Sequence, residues 1–181
     1  NNNISGSYIG IQVNGAISGD NANVYNQNYM GSTTAARKLG YRGLFLTNQI
    51  SPVISGNTIV GVASTFYSGA EADATAAIVI AGSSSGAQVT QNTIFDIRNT
   101  NPSGAPSYGI ALQSSIATSS ISVSNNFIHT IVGYGKSVPS ENAIGIAVLS
   151  GGGYSILFNS IHLGTNQTTA GITSCLFFGV N

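Results

Sequence analysis

The sequence contains little charge, a single cysteine and no long apolar run. Charged residues make up 6% of the 181 positions, and five Lys/Arg balance five Asp/Glu, whereas roughly 25% charge is typical of a soluble domain. Phosphate groups and anionic lipids are bound by clustered basic side chains, so this composition argues against nucleic-acid binding and a polybasic membrane-surface role. No run of about 18 apolar residues occurs, and no membrane insertion is expected.

The apolar content is nevertheless sufficient for a folded core. Hydrophobic residues make up 42% of the chain, and frequent Val and Ile argue against disorder. Solubility must then come from Asn, Ser, Thr, Gln and Gly. The lone cysteine, Cys175, excludes a disulfide within the chain. We expect it to be a small buried apolar residue rather than a reactive thiol.

One short motif recurs along the whole sequence: an apolar residue, two spacers, an asparagine, one spacer and a second apolar residue. Its copies lie at 25–30, 54–59, 89–94, 123–128 and 156–161, after a truncated copy at 2–4. The asparagines of the full copies are Asn28, Asn57, Asn92, Asn126 and Asn159. They recur at roughly 30 residues, a period typical of solenoid proteins.

A second motif alternates with the first. It consists of a small residue followed by an apolar, a variable and an apolar residue, at 10–13, 43–46, 77–80, 109–112 and 145–148, with a degraded copy at 171–174. In both motifs apolar side chains alternate with small or polar ones, as in strands with one buried face. No stretch has a convincing helical apolar stripe, and the strands are separated by Gly, Ser, Asn and Pro.

Short strands repeated at a fixed period predict an all-β solenoid in which each coil covers the apolar face of the next. We expect about six coils, no substantial helix and one domain over residues 1–181. Asn1 begins inside a repeat, and 176–178 resembles the start of another coil. The chain is therefore expected to be a segment of a longer solenoid.

The alternation of these two motifs resembles the parallel β-helix repeats of the pectate-lyase-like superfamily over essentially the whole chain. The resemblance implies a right-handed parallel β-helix. It implies no particular activity, because the superfamily includes lyases, glycosidases, phage tailspikes and non-catalytic adhesins. The Asn/Ser/Thr-rich texture is similar to secreted bacterial surface proteins that carry a C-terminal sorting domain, although the sequence contains no such domain.

The repeated asparagines are interpreted as structural. In the resembling family such an asparagine occupies a tight turn in left-handed or bridge geometry, which Asn tolerates better than most residues. Stacked side chains can then bond to one another along the axis, which satisfies amides that would otherwise be buried without partners. The alternative is a polar binding stripe.

Variation in repeat length falls on one edge, between the asparagine motif and the next small-residue motif. This variable edge comprises residues 31–42, 64–76, 99–108, 133–143 and 164–170. Insertions on one face of a solenoid often mark its binding face, and tyrosine faces suit sugar rings or partner proteins. The candidate ligand-binding residues there are Tyr41, Tyr67, Tyr108, Tyr134, Arg42, Glu71 and Asp73. Alternatively, these tyrosines cover the core beneath long loops.

No catalytic constellation is apparent. Glu71 and Asp73 are neighbours on one loop, and Asp96 is expected to form a surface ion pair with Arg98. His129 and His162 occupy equivalent positions of adjacent coils, but a third metal ligand is missing at that register. No metal, cofactor or catalytic residue is therefore assigned.

The sequence thus favours a non-catalytic, secreted structural or adhesive module of a bacterial surface protein or fibre. Its expected partners are polysaccharides or other surface proteins, and exposed strand ends suggest end-to-end self-association. One alternative is a fragment of a carbohydrate-active enzyme, such as a polysaccharide lyase or glycosidase. Another is a tailspike-like receptor-binding protein.

Overall fold

The computed structural model describes residues 2–16, 20–66, 74–164 and 171–179. These residues form parallel β-sheets stacked as a solenoid of about five turns, as the sequence predicts. Two sheets contain six strands each, and six stacked strands enclose about five full turns. The only helical segments in the described part are single 3₁₀ turns at Ala35–Arg37 and Pro139–Glu141.

Each of the five full coils contributes one strand to each of three long sheets, which we call A, B and D, and the last, partial coil adds one strand to sheets A and B. Sheet A follows the asparagines and contains β1 (Asn3–Ile4), β5 (Tyr29–Gly31), β9 (Thr58–Ser64), β12 (Thr93–Asn99), β15 (Phe127–Val132) and β18 (Ser160–His162). Sheet B carries the small-residue motif and contains β2 (Ile9–Asn14), β6 (Arg42–Thr47), β10 (Thr75–Gly82), β13 (Ser107–Ser114), β16 (Ala143–Ser150) and β19 (Ser174–Phe178). Sheet D precedes the asparagines and contains β4 (Val24–Asn26), β8 (Val53–Ser55), β11 (Gln88–Thr90), β14 (Ser122–Ser124) and β17 (Ser155–Leu157). Two further short strands, β3 (Asp20–Asn21) and β7 (Gln49–Ile50), pair with each other.

Equivalent residues of the repeats stack directly on one another, because the strand pairs are parallel and in register, apart from one shift after Leu112 where β13 meets β16. In sheet A, Ile94 pairs with Ile59 on one side and with Ile128 on the other. In sheet B, Ile78 pairs with Leu44 and with Ile110. These side chains are fully buried and form one continuous core inside the coils.

The small residue of the second motif lies where sheet B comes closest to sheet A. A Cβ added at Gly109 would lie 2.5 Å from the carbonyl oxygen of Gly145 and 2.7 Å from Cγ2 of Ile128. At Gly145, the added Cβ would lie 2.5 Å from Cγ2 of Ile161. The motif therefore requires a small side chain because the backbone of sheet B packs against the isoleucine column of sheet A.

The last copy of the small-residue motif differs from the expected one. Residues 171–174 are not the equivalent of 145–148; instead Ile146 pairs with Leu176 and Val148 with Phe178. Cys175 thus takes the small-residue position, and it is exposed rather than buried. The segment 176–178, expected to begin another coil, is part of the sixth strand of sheet B.

A second apolar cluster lies on the outer face of sheet B. Val79 stands between the inward-facing Ile78 and Ile80, so its side chain points away from the main core, yet it is buried. It packs with buried Ala76, Tyr108, Ala111, Ile144 and Ala147. Sheet B is therefore apolar on both faces, as strands of a fully buried sheet are.

Candidate functional site

The asparagines of the first motif form one continuous hydrogen-bonded column, which we call the asparagine ladder. The side-chain amide of Asn57 donates to the side-chain oxygen of Asn92 at 2.9 Å, and the backbone N–H of Asn57 donates to the same oxygen at 3.0 Å. The same pair of bonds joins every neighbouring asparagine from Asn2 to Asn159. The amide of Asn92 also donates to the carbonyl of Ile54 at 3.0 Å.

The four inner asparagines of the ladder are buried, and their hydrogen-bonding groups are used within it. Asn57, Asn92 and Asn126 are each 1% exposed, and Asn28 is 5% exposed. A buried amide without partners costs about 1–3 kcal/mol, and here each buried amide is bonded within the column. These side chains are therefore not accessible to a ligand, which supports the structural interpretation over the binding stripe.

In the five full copies of the motif, left-handed backbone geometry lies one residue before the asparagine rather than on the asparagine itself. The reversal between sheets D and A is thus made by the preceding residue, and the backbone N–H of the asparagine points along the axis to the next coil. The residues with positive φ are Gln27 (51°), Gly56 (61°), Gln91 (58°), Asn125 (55°) and Phe158 (56°).

Two of the four candidate tyrosines on the variable edge, Tyr41 and Tyr108, are buried. Tyr41 is 7% exposed, and Tyr108 is fully buried with its hydroxyl donating to the carbonyl of Ser140 at 2.7 Å. Tyr134 is half-buried. The alternative interpretation, in which these tyrosines cover the core, fits Tyr41 and Tyr108 better. The remaining three candidates, Tyr67, Glu71 and Asp73, lie outside the described residues.

Arg42 belongs to an aromatic cluster at the same edge. Its guanidinium carbon lies 4.5 Å from the ring centre of Tyr41 and 4.2 Å from that of Phe45, and its Nη2 donates to the Tyr41 hydroxyl at 3.0 Å. Tyr41 also stacks on Tyr8 at 5.2 Å and meets the edge of Phe66 at 6.0 Å. Arg42 is only 4% exposed, so the exposed rings of this cluster are those of Tyr8 and Phe66, with Phe45 half-buried.

Two buried asparagines that the motifs did not reveal hold the edge loops in place. Asn142 accepts from the backbone N–H of Lys136 at 2.9 Å and donates to the carbonyls of Lys136 and Val138. Asn99 donates to the carbonyl of Phe66 and to the hydroxyl of Thr75. Neither residue belongs to a repeated pattern, so spacing could not identify it.

Asp96 is the centre of an ion cluster on sheet A. The expected contact with Arg98 is present, and Lys38 also binds the carboxylate at 2.6 Å. Asp96 is 9% exposed, so this cluster is partly buried rather than at the surface. Lys38 lies 58 residues earlier in the chain, which explains why local spacing revealed only Arg98.

The two histidines stand side by side on the outer face of sheet A. His129 pairs with His162 in register, and its ring stacks on Phe95 at 4.9 Å and lies 4.9 Å from Phe127. Burial lowers the pKa of His129 below its ordinary value, and the neighbouring His162 lowers it further. Stacked rings cover each other's faces. The rings of Phe95 and His129 therefore present mainly their edges to a ligand.

A shallow polar groove lies on the outer face of sheet D, with a volume of about 320 Å³. Its walls are formed by β11, β14 and the turns before them. The polar side chains that line it are Gln88, Thr90, Ser120, Ser122 and Ser124. It contains no ionisable group, so it suits an uncharged ligand better than an ion.

Within the described ranges, no group of three or more His, Cys, Asp or Glu side chains could hold a metal ion. The same residues include no helix long and apolar enough to cross a membrane. Searches against protein-family models, curated proteins and solved structures gave no match. The structure shows a parallel β-solenoid. No match places it in the pectate-lyase-like superfamily.

Proposed function

We propose that this chain is a non-catalytic structural or adhesive module of an extracellular bacterial surface protein or fibre. The observation that carries the proposal is the asparagine ladder. The buried asparagines of the ladder connect one coil to the next, and the buried Asn99 and Asn142 hold loops in place. These buried polar groups therefore have structural roles.

The described carboxylates are also engaged in structural contacts. Asp96 is bound by both Lys38 and Arg98, and Glu141 lies 3.5 Å from the Nζ of Lys136. Acid catalysis of glycoside cleavage requires a pair of carboxylates about 5–10 Å apart across a substrate. A carboxylate that forms ion pairs with two basic side chains is poorly suited to such a role, because both of its oxygens are already engaged.

The lateral surface supports adhesion to uncharged partners. It is rich in Ser, Thr, Asn and Gln, and it includes the groove of sheet D and the exposed rings of Tyr8 and Phe66. Hydroxyl and amide groups are suited to neutral saccharides and uncharged protein surfaces, and exposed aromatic rings are suited to the faces of sugar rings.

The test is a screen of the purified protein against acidic and neutral polysaccharides, with binding and turnover measured separately. We expect binding without release of new reducing ends or unsaturated products. Glu71→Gln and Asp73→Asn serve as matched variants, since these are the two acids among the candidate ligand-binding residues of the variable edge. Turnover by the wild type that disappears in either variant would show that the protein is a carbohydrate-active enzyme rather than an adhesive module.

A further inference from the structure

The groove on the outer face of sheet D is lined by polar side chains that the fold leaves unused. Four of them point away from the core on two neighbouring strands: Gln88 and Thr90 of β11, and Ser122 and Ser124 of β14. The residues between them, Val89 and Val123, are buried in the core. Within the part of the chain that the structure describes, none of the four side chains forms a hydrogen bond. Unlike the amides of the asparagine ladder, these groups are therefore available to a ligand.

The four side chains form a regular array, because β11 and β14 are paired in register. Gln88 pairs with Ser122, and Thr90 pairs with Ser124. Neighbouring strands are about 4.8 Å apart, and side chains two residues apart along one strand are separated by about 6.6 Å. These spacings are close to those between hydroxyl groups on opposite sides of a sugar ring. The array therefore allows one sugar unit to bond to several side chains at once.

Apolar side chains border the array at two opposite corners. Val53 of β8 is paired with Gln88, and Leu157 of β17 is paired with Ser124. A sugar ring carries hydroxyl groups at its rim and C–H groups on its faces. A polar array with apolar borders therefore matches both kinds of group on the same ligand.

The groove provides no charge to a ligand. Its two strands and the turns before them lie within residues 82–92 and 115–126, which contain no Lys, Arg, His, Asp or Glu. Hydroxyl and carboxamide groups both donate and accept hydrogen bonds, as saccharide hydroxyls do. A carboxylate or sulfate group would lose water there without meeting an opposite charge. The groove therefore favours a neutral saccharide over an acidic one.

The size of the groove favours a small ligand over a protein partner. Its volume of about 320 Å³ is at the lower end of the range of roughly 300–1,000 Å³ found for small-molecule sites. A stable protein interface buries about 1,600 Å² in total around an apolar centre. The residues that line the groove include no aromatic, Leu, Ile or Met side chain. A unit of one or two sugar rings is the occupant that fits.

We propose that the groove of sheet D is a binding site for one or two rings of a neutral saccharide. The hydroxyls of Thr90, Ser122 and Ser124 and the amide of Gln88 bond to the sugar hydroxyls. The inference rests on the proposed adhesive function and names its site and ligand class. Binding at a single site is weak, because each bond between neutral groups replaces bonds to water. It is also insensitive to salt, because no charges attract each other.

The test is a nuclear magnetic resonance titration of the polypeptide of residues 1–181 with the neutral disaccharides cellobiose, lactose and mannobiose, and with digalacturonate as the acidic probe. We expect at least one neutral disaccharide to shift the side-chain amide signals of Gln88 and the backbone signals of β11 and β14. Thr90→Val keeps the shape of the side chain and removes its hydroxyl, so it should weaken that binding about fivefold. Combining it with Ser124→Val should weaken binding further. The matched control is Thr93→Val, since Thr93 is half-buried like Thr90 but lies on sheet A outside the groove.

Three results would overturn the groove as a saccharide site. They are no shift with any neutral disaccharide, tighter binding of digalacturonate, and equal affinities of Thr90→Val and Thr93→Val. Far-ultraviolet circular dichroism confirms that each variant is folded before titration. If the wild type binds polysaccharides but the groove signals do not shift, the site is wrong and the adhesive function stands. Turnover in the polysaccharide screen would instead refute the adhesive function, and the groove would stand as a binding site if Thr90→Val still weakens binding.

Discussion

Replacing Asn92 with alanine removes one complete step of the asparagine ladder. The side chain of Asn92 accepts bonds from the backbone and side chain of Asn57, and it donates to Asn126 and to the carbonyls of Ile54 and Thr90. These are five bonds, and each contributes about 1 kcal/mol net. The substitution also leaves the buried amide of Asn57 without its ladder acceptor. We expect a loss of about 4 kcal/mol, a large part of the 5–15 kcal/mol by which folded proteins are typically stable.

The assay is equilibrium unfolding in urea followed by circular dichroism, with Asn26→Ala as the matched control. Asn26 lies two residues before another member of the ladder, Asn28, is exposed, and makes no side-chain hydrogen bond among the described residues. Its replacement should change the free energy of unfolding by less than about 0.5 kcal/mol. Asn92→Asp keeps the acceptor but buries a carboxylate against the carbonyls of Ile54 and Thr90, so it should also be destabilising at neutral pH. If Asn92→Ala costs no more than the control, the ladder does not stabilise the fold and the reasoning fails.

Three other perturbations test separate parts of the structure. Gly109→Val should cost about 2 kcal/mol in thermal unfolding, because its Cβ would lie 2.7 Å from Cγ2 of Ile128; an unchanged melting temperature would contradict the close approach of sheets A and B. Asp96→Asn should lower the free energy of unfolding in urea by about 2 kcal/mol, because Lys38 and Arg98 lose their carboxylate partner. A loss below about 0.5 kcal/mol would show that the ion cluster is not stabilising. Stability should also fall as the pH is lowered from about 7 to about 5. The pKa of His129 in the folded protein lies below its ordinary value of 6.5, so the unfolded chain takes up the proton at a higher pH than the folded protein does. His162→Gln should reduce that fall, and a profile unchanged by the substitution would argue against coupling between the two rings.

Features that repeat were predictable from the sequence, because stacking forces equivalent residues into columns. The asparagine spacing identified all six members of the ladder, and the apolar alternation identified the inward-facing isoleucines. The predicted equivalence of His129 and His162 is confirmed by the register of β15 and β18. In a solenoid, one correct alignment of repeats fixes most contacts between coils.

The errors occurred where the repeat is interrupted. The last small-residue motif was placed at 171–174 because Gly171 matched the pattern, whereas the pairing of β19 with β16 selects Cys175 for that position. Asp96 was expected at the surface, since sequence spacing showed Arg98 but not the contribution of Lys38 from another coil. Tyr108 was treated as a possible ligand-binding residue because a loop position suggests exposure. It is buried because its hydroxyl bonds to Ser140 of a loop that covers it.

The most direct test of the structural role assigned to the asparagine ladder is hydrogen exchange of individual asparagine side-chain amides, measured by nuclear magnetic resonance. The amides of Asn92 and Asn126 should exchange only when the solenoid opens, because each is 1% exposed and bonded to the neighbouring coils. The exposed amide of Asn26 provides the unprotected reference in the same spectrum. Exchange of Asn92 and Asn126 at the rate of Asn26 would contradict the ladder and the scaffold function built on it.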